Sequence, residues 1–569
     1  MNNKILIKDF EILKKPRSFQ EHFSNTININ NGGYLIAISS FDINNSNVLN
    51  KLMTWRNSAN YAYYNSPEAT IESTGKWLES LINSSEKKIL FKIFDENNEF
   101  IGHLGLNINS KNDFIHVELD NILRGSDKAR KGIITDSILS LVQWCKNIYF
   151  IEKFLLRVLS TNENAINFYK KLGFIETERV LNDDKKTHMI EMAFQNTSYT
   201  NKNMILTAGP SIGIRERLYS SDATTNGWNA EWKFYLSKFE KEFAKYIGVK
   251  YAIATSSCTG SMHIALSALD IKKGDEVIVP DITWVSTANA VMLVGATPIF
   301  ADVDLNTWTL DPNSVESLIS DRTKAIMPVH LYGHPAEMDK IMSLAKKYNL
   351  KIIEDAAPSI GAEFYDQKTG SFGDFSAFSF QGAKLLVTGE GGMLCTNDKS
   401  LYERAYKIWD QGRVPGTFWI EELSSKYKMA NIQAAIGLGQ LERNDLMVNK
   451  KRLINDWYFE RLKNIKGISF FRESDKVKSI CWMSCIRLNE DTKLSRDNFC
   501  KELKKRNVDT RPVFPTISQY PYWERRQAEQ PNSKLIADTG INLPSGVCLS
   551  KEEVNYICDQ IIETIKWNQ

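Results

Sequence analysis

The chain has 569 residues, of which 43% are hydrophobic and 24% charged, as in ordinary globular proteins. This length exceeds what one hydrophobic core supports, so we expect several domains. The net charge of +3, spread over 71 basic and 68 acidic residues, predicts no nucleic-acid partner. No apolar run approaches a membrane span, and residues 1–18 lack the apolar centre of a signal peptide, so we expect a cytoplasmic protein without a membrane partner. The eight scattered cysteines predict free thiols and no metal site.

The first 200 residues combine short apolar strands with amphipathic helices. Periodicity predicts strands at 89–94, 100–108, 114–123, 154–159 and near 189–194. It predicts helices from Ile133 to about Ile148 and over 163–171. Polar Q-N-T-S-Y-T-N-K-N at 195–203 is typical of a linker. We therefore expect a first domain over 1–197, a linker at 198–204, and a second domain over 205–569 with a small subdomain from about 445.

The segment R-K-G-I-I-T-D at 130–136 opens the longer of these helices. The N–H groups and dipole at a helix start favour anions, so Gly132 and Ile133 are candidates for binding a diphosphate. Arg130 adds a guanidinium that can pair with phosphate.

A longer motif, L-L-R-V-L-S-T-N-E-N-A-I-N-F-Y-K-K-L-G-F at 155–174, follows that helix. With 130–136 it makes residues 34–195 resemble the GNAT acetyltransferases. The resemblance implies that Asn162 bonds the pantetheine or diphosphate arm of coenzyme A and that Tyr169 protonates the departing thiolate. Arg130 stands where the family has its first loop glycine, and Asp127 where it has a basic residue.

The acceptor side of this domain is less defined. W-R-N at 55–57 resembles the opening helix of GNAT enzymes that act on nucleotide-linked amino sugars, which places Arg56 and Asn57 near the substrate. For the base that deprotonates the amine, Glu118 is our first candidate, with His103 and Asp120 as alternatives. Strand alternation puts Glu118 and Asp120 on one face, where both are equally consistent with structural carboxylates.

The most informative stretch of the second domain is S-F-Q-G-A-K-L-L-V-T-G-E-G-G at 379–392. Lys384 lies among small residues, 29 positions after Asp355, which ends an apolar run. A lysine that forms a Schiff base with pyridoxal phosphate, and an aspartate that pairs with the pyridinium nitrogen, explain this pattern. Ser379 is placed to bond the cofactor phosphate, and the glycines 389, 391 and 392 permit close backbone approach.

Several further segments extend the pattern. Residues 205–569 resemble the DegT/DnrJ/EryC1/StrS sugar aminotransferases through G-P-S-I-G (209–213), A-T-S-S-C-T-G-S-M-H-I-A-L (254–266), P-D-I-T-W-V-S-T-A-N-A-V (280–291), P-V-H-L-Y-G-H-P-A-E-M-D (328–339), K-Y-K-M-A-N-I-Q-A-A-I-G-L-G-Q-L-E (426–442) and T-R-P-V-F-P (510–515). The resemblance implies an α/β fold of type I, with a mixed, mostly parallel sheet in a large domain and a small C-terminal α/β domain. It also implies pyridoxal phosphate as cofactor and a homodimer.

The same resemblance assigns further site residues. Cys258 and Thr259, at a helix start, would hold the cofactor phosphate, and Trp284 would stack on the pyridine ring. Asn431 would reach the phosphate of the neighbouring subunit. Pro358 replaces a residue that often bonds the cofactor hydroxyl. The substrate side is implied to include His330, Tyr332, Arg511 and Phe514.

The sequence thus predicts a bifunctional enzyme that aminates a keto nucleotide sugar with L-glutamate and then acetylates the amine from acetyl-CoA. A dTDP- or UDP-linked 4-keto-6-deoxyhexose is expected first, and a 3-keto sugar is the alternative. A second alternative is an aminotransferase whose N-terminal domain is a degenerate CoA-binding or scaffolding module. A ligand-sensing regulator is disfavoured, since the sequence has no helix-turn-helix pattern and no basic face.

Overall fold

A computed structural model describes residues 2–58, 68–111, 114–126, 129–181, 188–195, 203–470, 473–523 and 527–566. The chain divides into two units, residues 1–199 and 200–569. No helix among the described residues combines the length and apolarity needed to cross a bilayer.

The first unit is built on one eight-stranded sheet. Its helices are α1 (Asn2–Lys14), α2 (Phe19–Ser24), α3 (Ser46–Ser58), α4 (Ile71–Asn83), α5 (Ile133–Tyr149) and α6 (Glu163–Lys171). Its strands are β1 (Ile27–Asn28), β2 (Tyr34–Ala37), β3 (Lys88–Phe94), β4 (Phe100–Lys111), β5 (Phe114–Arg124), β6 (Phe154–Leu159), β7 (Phe174–Leu181) and β8 (His188–Phe194). The strand order is β1-β2-β3-β4-β5-β6-β8-β7. Among these neighbours only β5 and β6 are parallel.

The predicted strands and helices of this unit are all present, and α1 is one of several elements that the sequence pattern did not predict. Leu6, Phe10 and Leu13 recur every three or four residues and are buried, which fixes one face of α1 on the unit. Asp9 on the same helix accepts a buried hydrogen bond from the hydroxyl of Tyr149 at 2.9 Å. Helix α1 is therefore an integral part of the first unit.

The second unit contains a large α/β layer and a smaller one. Its helices are α7 (Ile214–Asn226), α8 (Phe234–Ile247), α9 (Cys258–Ala268), α10 (Ser286–Leu293), α11 (Pro312–Ser317), α12 (Met338–Tyr348), α13 (Lys399–Trp409), α14 (Asn431–Leu441), α15 (Asn444–Leu462), α16 (Arg496–Lys505), α17 (Pro531–Thr539) and α18 (Lys551–Lys566). Its strands are β9 (Tyr251–Thr255), β10 (Glu276–Pro280), β11 (Thr297–Ala301), β12 (Thr323–Ile326), β13 (Lys351–Asp355), β14 (Glu363–Phe364), β15 (Gln367–Lys368), β16 (Phe375–Ser379), β17 (Gly392–Thr396), β18 (Ile468–Phe470), β19 (Val477–Lys478), β20 (Cys485–Leu488), β21 (Arg511–Pro512) and β22 (Gly540–Asn542).

The large layer has seven strands in the order β11-β10-β12-β13-β16-β17-β9. The pairs from β11 to β16 are parallel, and β17 is antiparallel to both β16 and β9. Buried apolar residues fill both sides of these strands, as expected for a sheet covered by helices. The small layer is the antiparallel sheet β18-β20-β22-β21, with α15 packed on α18. The predicted fold class is confirmed.

This topology places the ends of several strands at one edge of the large sheet. Strands β9, β10, β12, β13 and β16 run in one direction, so their carboxyl ends meet at the same edge, and β17 begins there. Ligands of α/β proteins bind outside the carboxyl ends of the strands. Asp355 and Ser379 are the last residues of β13 and β16.

Candidate active sites

A cavity of about 500 Å³ lies at this edge of the large sheet. Seven of the residues that line it are site residues predicted from the sequence: Cys258, Thr259, Trp284, Asp355, Ser379, Lys384 and Phe514. Three elements at the sheet edge supply most of them, because the start of α9 and the ends of β13 and β16 are adjacent in space.

Lys384 brings its amine into this cavity. The side chain as a whole is half-buried, but Nζ lies deep, 3.9 Å from the ring centroid of Trp482. Burial lowers the pKa of Lys384 to about 8, although the charges of Asp355 and Cys258 act in the opposite direction. A pKa near 8 leaves about a tenth of the amine neutral at pH 7, far more than in an exposed lysine. A neutral amine is the form that attacks an aldehyde.

Asp355 is the acid of the cavity and is only 5% exposed. One carboxylate oxygen accepts a hydrogen bond from the hydroxyl of Thr287 at 2.7 Å, and the other accepts from the N–H of Ala357 at 3.2 Å. Burial raises the pKa of Asp355, while these two hydrogen bonds and the nearby Lys384 oppose the rise. A buried carboxylate with this support suits a cationic nitrogen as its partner. Thr287 was not singled out from the sequence.

The turn before α9 provides donors for an anion. Ser257 caps the helix by accepting from the N–H of Gly260 at 3.1 Å, so the N–H groups of Cys258 and Thr259 belong to the free first turn. A Cβ on Gly392 would stand 2.6 Å from the nitrogen of Cys258. The glycine therefore permits β17 to pack against this turn, whereas the sequence suggested approach to a ligand. Burial raises the pKa of the Cys258 thiol well above its ordinary value, which keeps it uncharged.

Aromatic side chains form much of the remaining wall. Trp284 is 59% exposed, and its ring centroid is 5.7 Å from that of Phe514. Trp482, which was not predicted from the sequence, lies with its ring centroid 3.9 Å from the amine of Lys384. Together with the buried acid, the amine and the helix start, this wall fits pyridoxal phosphate: Asp355 would hold its ring nitrogen, Lys384 its aldehyde carbon, and the turn at Cys258 its phosphate.

His330 and Tyr332 lie behind the wall and do not line it. His330 is fully buried, and its Nε2 is 3.0 Å from the carboxylate of Glu354, while its Nδ1 accepts from the N–H of Ala336 at 3.0 Å. Tyr332 is stacked between Trp482 and Phe514, with centroids 6.0 and 5.5 Å away. Tyr332 thus supports the aromatic wall, whereas the side chain of His330 is bonded to Glu354.

Arg511 and Asn431 are also absent from the residues that line the cavity. The guanidinium of Arg511 is largely exposed and lies 3.3 Å from the carboxylate of Asp509. The carbonyl oxygen of the Asn431 side chain accepts from the N–H groups of Tyr235 and Leu236, at 3.0 and 3.2 Å. Asn431 thereby satisfies donors at the start of α8 within its own chain.

The first unit has a cleft of about 750 Å³ between β5 and β6. Parallel pairing joins only residues 117–119 to residues 154–156, and residues 119–124 and 156–159 beyond it form opposite walls of the cleft. All five residues predicted to bind coenzyme A line it: Arg130, Gly132, Ile133, Asn162 and Tyr169. The separation of the two strands therefore opens a cleft that these five residues share.

The start of α5 forms one end of this cleft. Gly132 caps the helix with φ 92°, and a Cβ there would meet nothing within 4 Å, so the turn is open on that side. The guanidinium of Arg130 lies 2.7 Å from Asp136 and donates to the carbonyl of Asn30 at 2.9 Å. Its charge is already balanced by Asp136. Asp127 lies outside the described residues, as does most of the predicted linker.

Asn162 and Tyr169 belong to α6. The side chain of Asn162 caps the helix by accepting from the N–H of Ala165 at 3.1 Å. The ring of Tyr169 packs edge-to-face on Phe174, with centroids 6.0 Å apart. The cap fixes where α6 begins, so Tyr169, two turns later, is held on the cleft wall.

Glu118 is bound on both oxygens. Arg157 donates from Nε at 2.7 Å and from Nη2 at 3.0 Å, and Asn109 donates at 3.0 Å. Asp120 lines the cleft, and Glu118 does not. His103 is buried, bonds the carbonyl of Asn121 at 2.7 Å, and has its pKa lowered to about 4 by burial. The structure thus places Glu118 in a carboxylate–guanidinium pair rather than at the open surface of the cleft.

Arg56 and Asn57 make contacts away from the residues that line the cleft. Arg56 lies over the ring of Trp77 at 4.9 Å. The amide of Asn57 bonds both backbone groups of Ala69, at 2.7 and 3.0 Å, and so ties α3 to the segment that enters α4. Trp55, the first residue of the W-R-N motif, is buried.

Fold and cavity together define an aminotransferase of the α/β type. Residues 210–562 match the DegT/DnrJ/EryC1/StrS aminotransferase family, to which the chain belongs, and residues 42–192 match the GNAT acetyltransferase domain. The chain is therefore a transferase that carries both domains.

Several known aminotransferases and sugar-modifying synthases are similar to the second unit. A GDP-perosamine synthase of Escherichia coli O157:H7 is 41% identical over 355 residues, 62% of this chain and 96% of that protein. One of Caulobacter vibrioides is 38% identical over 364 residues, 63% and 98% of the two chains. An aminotransferase structure from Psychrobacter cryohalolentis superposes with TM-score 0.60 at 29% identity, over 64% of this chain and 99% of that one.

Proposed function

We propose that the second unit transfers an amino group from L-glutamate to a nucleotide-linked keto sugar, and that the first unit then acetylates the new amine from acetyl-CoA. The observation that carries the first step is the cavity in which the amine of Lys384 and the buried acid of Asp355 face one space. The second step is supported by the cleft that gathers Asn162 and Tyr169 at the start and middle of α6.

Pyridoxal phosphate, when bound, supplies an electron sink for the amino donor's Cα. The residues of the chain would do the rest. Asp355 holds a positive charge on the ring nitrogen, and the first turn of α9 binds the phosphate. Lys384, with a pKa near 8, carries a proton between donor and cofactor at neutral pH, since it exchanges between charged and neutral forms there.

In the first unit the amine of the sugar would attack the acetyl group directly. Asn162 and the open turn at Gly132 bind coenzyme A, and Tyr169 protonates the departing thiolate. Of the carboxylates considered from sequence, Asp120 is the one on the cleft wall, and we propose it as the base. Linking both sites in one chain raises the effective concentration of the amine at the second site.

The relatives support a choice of nucleotide. Those most similar over the second unit are named GDP-perosamine synthases, so we propose a GDP-linked 4-keto-6-deoxyhexose as substrate, ahead of the dTDP- and UDP-linked sugars. We also propose a homodimer. An apolar segment of the second unit supports it, because Phe418, Trp419 and Leu423 are 96%, 71% and 103% exposed.

The test is mass spectrometry of a one-pot reaction with purified protein, pyridoxal phosphate, glutamate and acetyl-CoA. GDP-, dTDP- and UDP-linked 4-keto-6-deoxyhexoses, and a 3-keto sugar, are supplied in parallel. We expect an acetamido product from the GDP sugar, an amino product when acetyl-CoA is omitted, and neither with Lys384→Ala. Tyr169→Phe should stop the reaction at the amine. Amination without acetylation in the wild type would refute the second activity, and no amination of any sugar would refute the first.

A further inference from the structure

Trp482 lines the cavity of the second unit but lies outside the sequence motifs that contain the predicted site residues. It lies between β19 and β20, 98 residues after Lys384 in the chain, and is 6% exposed. It nevertheless forms part of the cavity wall. The proposed mechanism of amino transfer assigns no role to Trp482.

Three hydrogen bonds fix Trp482 in place. Its backbone N–H donates to the carbonyl of Tyr332 at 2.9 Å, and its carbonyl accepts from the side-chain amine of Lys451 at 2.7 Å. Its indole Nε1–H donates to the carbonyl of Ala383 at 2.9 Å. Because Ala383 directly precedes Lys384, the last bond ties the ring to the backbone that carries the lysine. Main chain and indole are both anchored, so the ring has one orientation.

That orientation aims the face of the indole at the amine of Lys384. The Nζ atom lies 3.9 Å from the ring centroid. Among aromatic rings tryptophan attracts a cation most strongly, and the attraction grows where water is excluded. The anchored ring is thus a binding place for the charged amine of Lys384.

We propose that Trp482 is a positioning residue that receives the ammonium of Lys384 whenever the lysine is not bonded to the cofactor. The proposal rests on the aminotransferase assignment, since in transamination the lysine must leave the cofactor when the amino donor takes its place. A lysine released into solvent would sample many rotamers. Trp482 instead keeps Nζ at one point of the cavity, charged and within reach of the proton transfers that follow.

The test uses the apoprotein, so it needs neither sugar nor amino donor. Competitive labelling of amines at pH 6–10, read by peptide mass spectrometry, gives the pKa of Lys384 in wild type, Trp482→Leu and Trp482→Phe. Loss of the ring removes stabilisation of the cation, so we expect the pKa in Trp482→Leu to fall below the wild-type value of about 8. A cation–π contact of ordinary strength corresponds to about half to one and a half pKa units. Trp482→Phe, which keeps a smaller ring, should lie between.

Trp284→Leu is the matched control, because it removes another tryptophan from the same cavity and should leave the pKa of Lys384 unchanged. A pKa in Trp482→Leu equal to or above the wild-type value would overturn the proposal. If the leucine variant fails to fold, the same comparison is made with Trp482→Phe, where an unchanged pKa is the refuting result. A failure of the sugar assays would leave this titration interpretable, so the two hypotheses fail separately.

Discussion

The pairing of Glu118 yields a sharp prediction about acetyl transfer. A general base needs a free lone pair that faces the substrate, and its removal costs roughly 10²–10⁴-fold in rate. The side chain of Glu118 is paired with Arg157, is only 10% exposed and does not line the cleft, whereas that of Asp120 is 40% exposed and lines it. We therefore expect Glu118→Gln to lower kcat for acetyl transfer by no more than about threefold, since the change leaves the residues of the cleft wall in place.

We expect Glu118→Gln to lower the local stability of the first unit. The NH2 group of the new glutamine would face an N–H donor of Arg157 or Asn109, which would then lose its acceptor. An unsatisfied buried donor costs about 1–3 kcal/mol. Since the side chain of Arg157 is 48% exposed, water replaces part of the lost pairing, so we expect about 1–2 kcal/mol. Hydrogen exchange in peptides of β5 should therefore quicken by about 5- to 30-fold.

The assay follows acetylation of a purified amino sugar nucleotide and runs beside hydrogen-exchange mass spectrometry. Glu176→Gln is the control, as it breaks an exposed ion pair with Lys170 in the same unit, and it should change neither readout. A loss of kcat of a hundredfold or more in Glu118→Gln, with unchanged exchange in β5, would refute this reasoning and restore Glu118 as the base.

Three further variants concern the second unit. Asp355→Asn removes a charge that raises the pKa of Lys384, so we expect the pKa of this lysine to fall below about 8. The variant should also lose pyridoxal phosphate on gel filtration, which absorbance of the eluted protein would report. Gly392→Ala places a Cβ 2.6 Å from the nitrogen of Cys258, and we expect at least tenfold weaker cofactor binding in a fluorescence titration; unchanged affinity would contradict the close packing. Burial lowers the pKa of Lys451 to about 7, whereas in the unfolded chain it is near 10.5. Between these two pH values the unfolded chain binds a proton that the folded chain lacks, so the free energy of unfolding rises with pH. Lys451→Met should flatten that rise in denaturant midpoints measured at pH 7, 8.5 and 10, and an unaltered slope would count against the lowered pKa of Lys451.

The sequence was most informative where chemistry is local in the chain. Lys384 and Asp355 are each surrounded by residues that serve the same site, and Asn162 and Tyr169 share one helix. The family resemblances, the α/β fold with a mixed sheet, and the two transferase domains were predicted from such segments and are confirmed.

The sequence was least informative where function depends on distant partners. Glu118 meets Arg157 only because β5 and β6 are neighbours, and neither residue marks the other in the sequence. Trp482 comes to Lys384 through the fold of the smaller layer. His330 belongs to a recognisable segment, yet its side chain points to Glu354 and away from the cavity, a direction that spacing alone does not give.

Glu354 and Asp355, adjacent at the end of β13, serve opposite sides of the sheet. Glu354 accepts from the N–H groups of Phe372, Gly373 and Gly370, at 2.7, 2.8 and 2.7 Å, and supports the loop before β16, while its neighbour faces the cavity. Because successive side chains of a strand alternate, a slip of one residue would exchange the two acids. In evolution or in design, this strand should therefore tolerate many exchanges of side chain but no single-residue insertion or deletion.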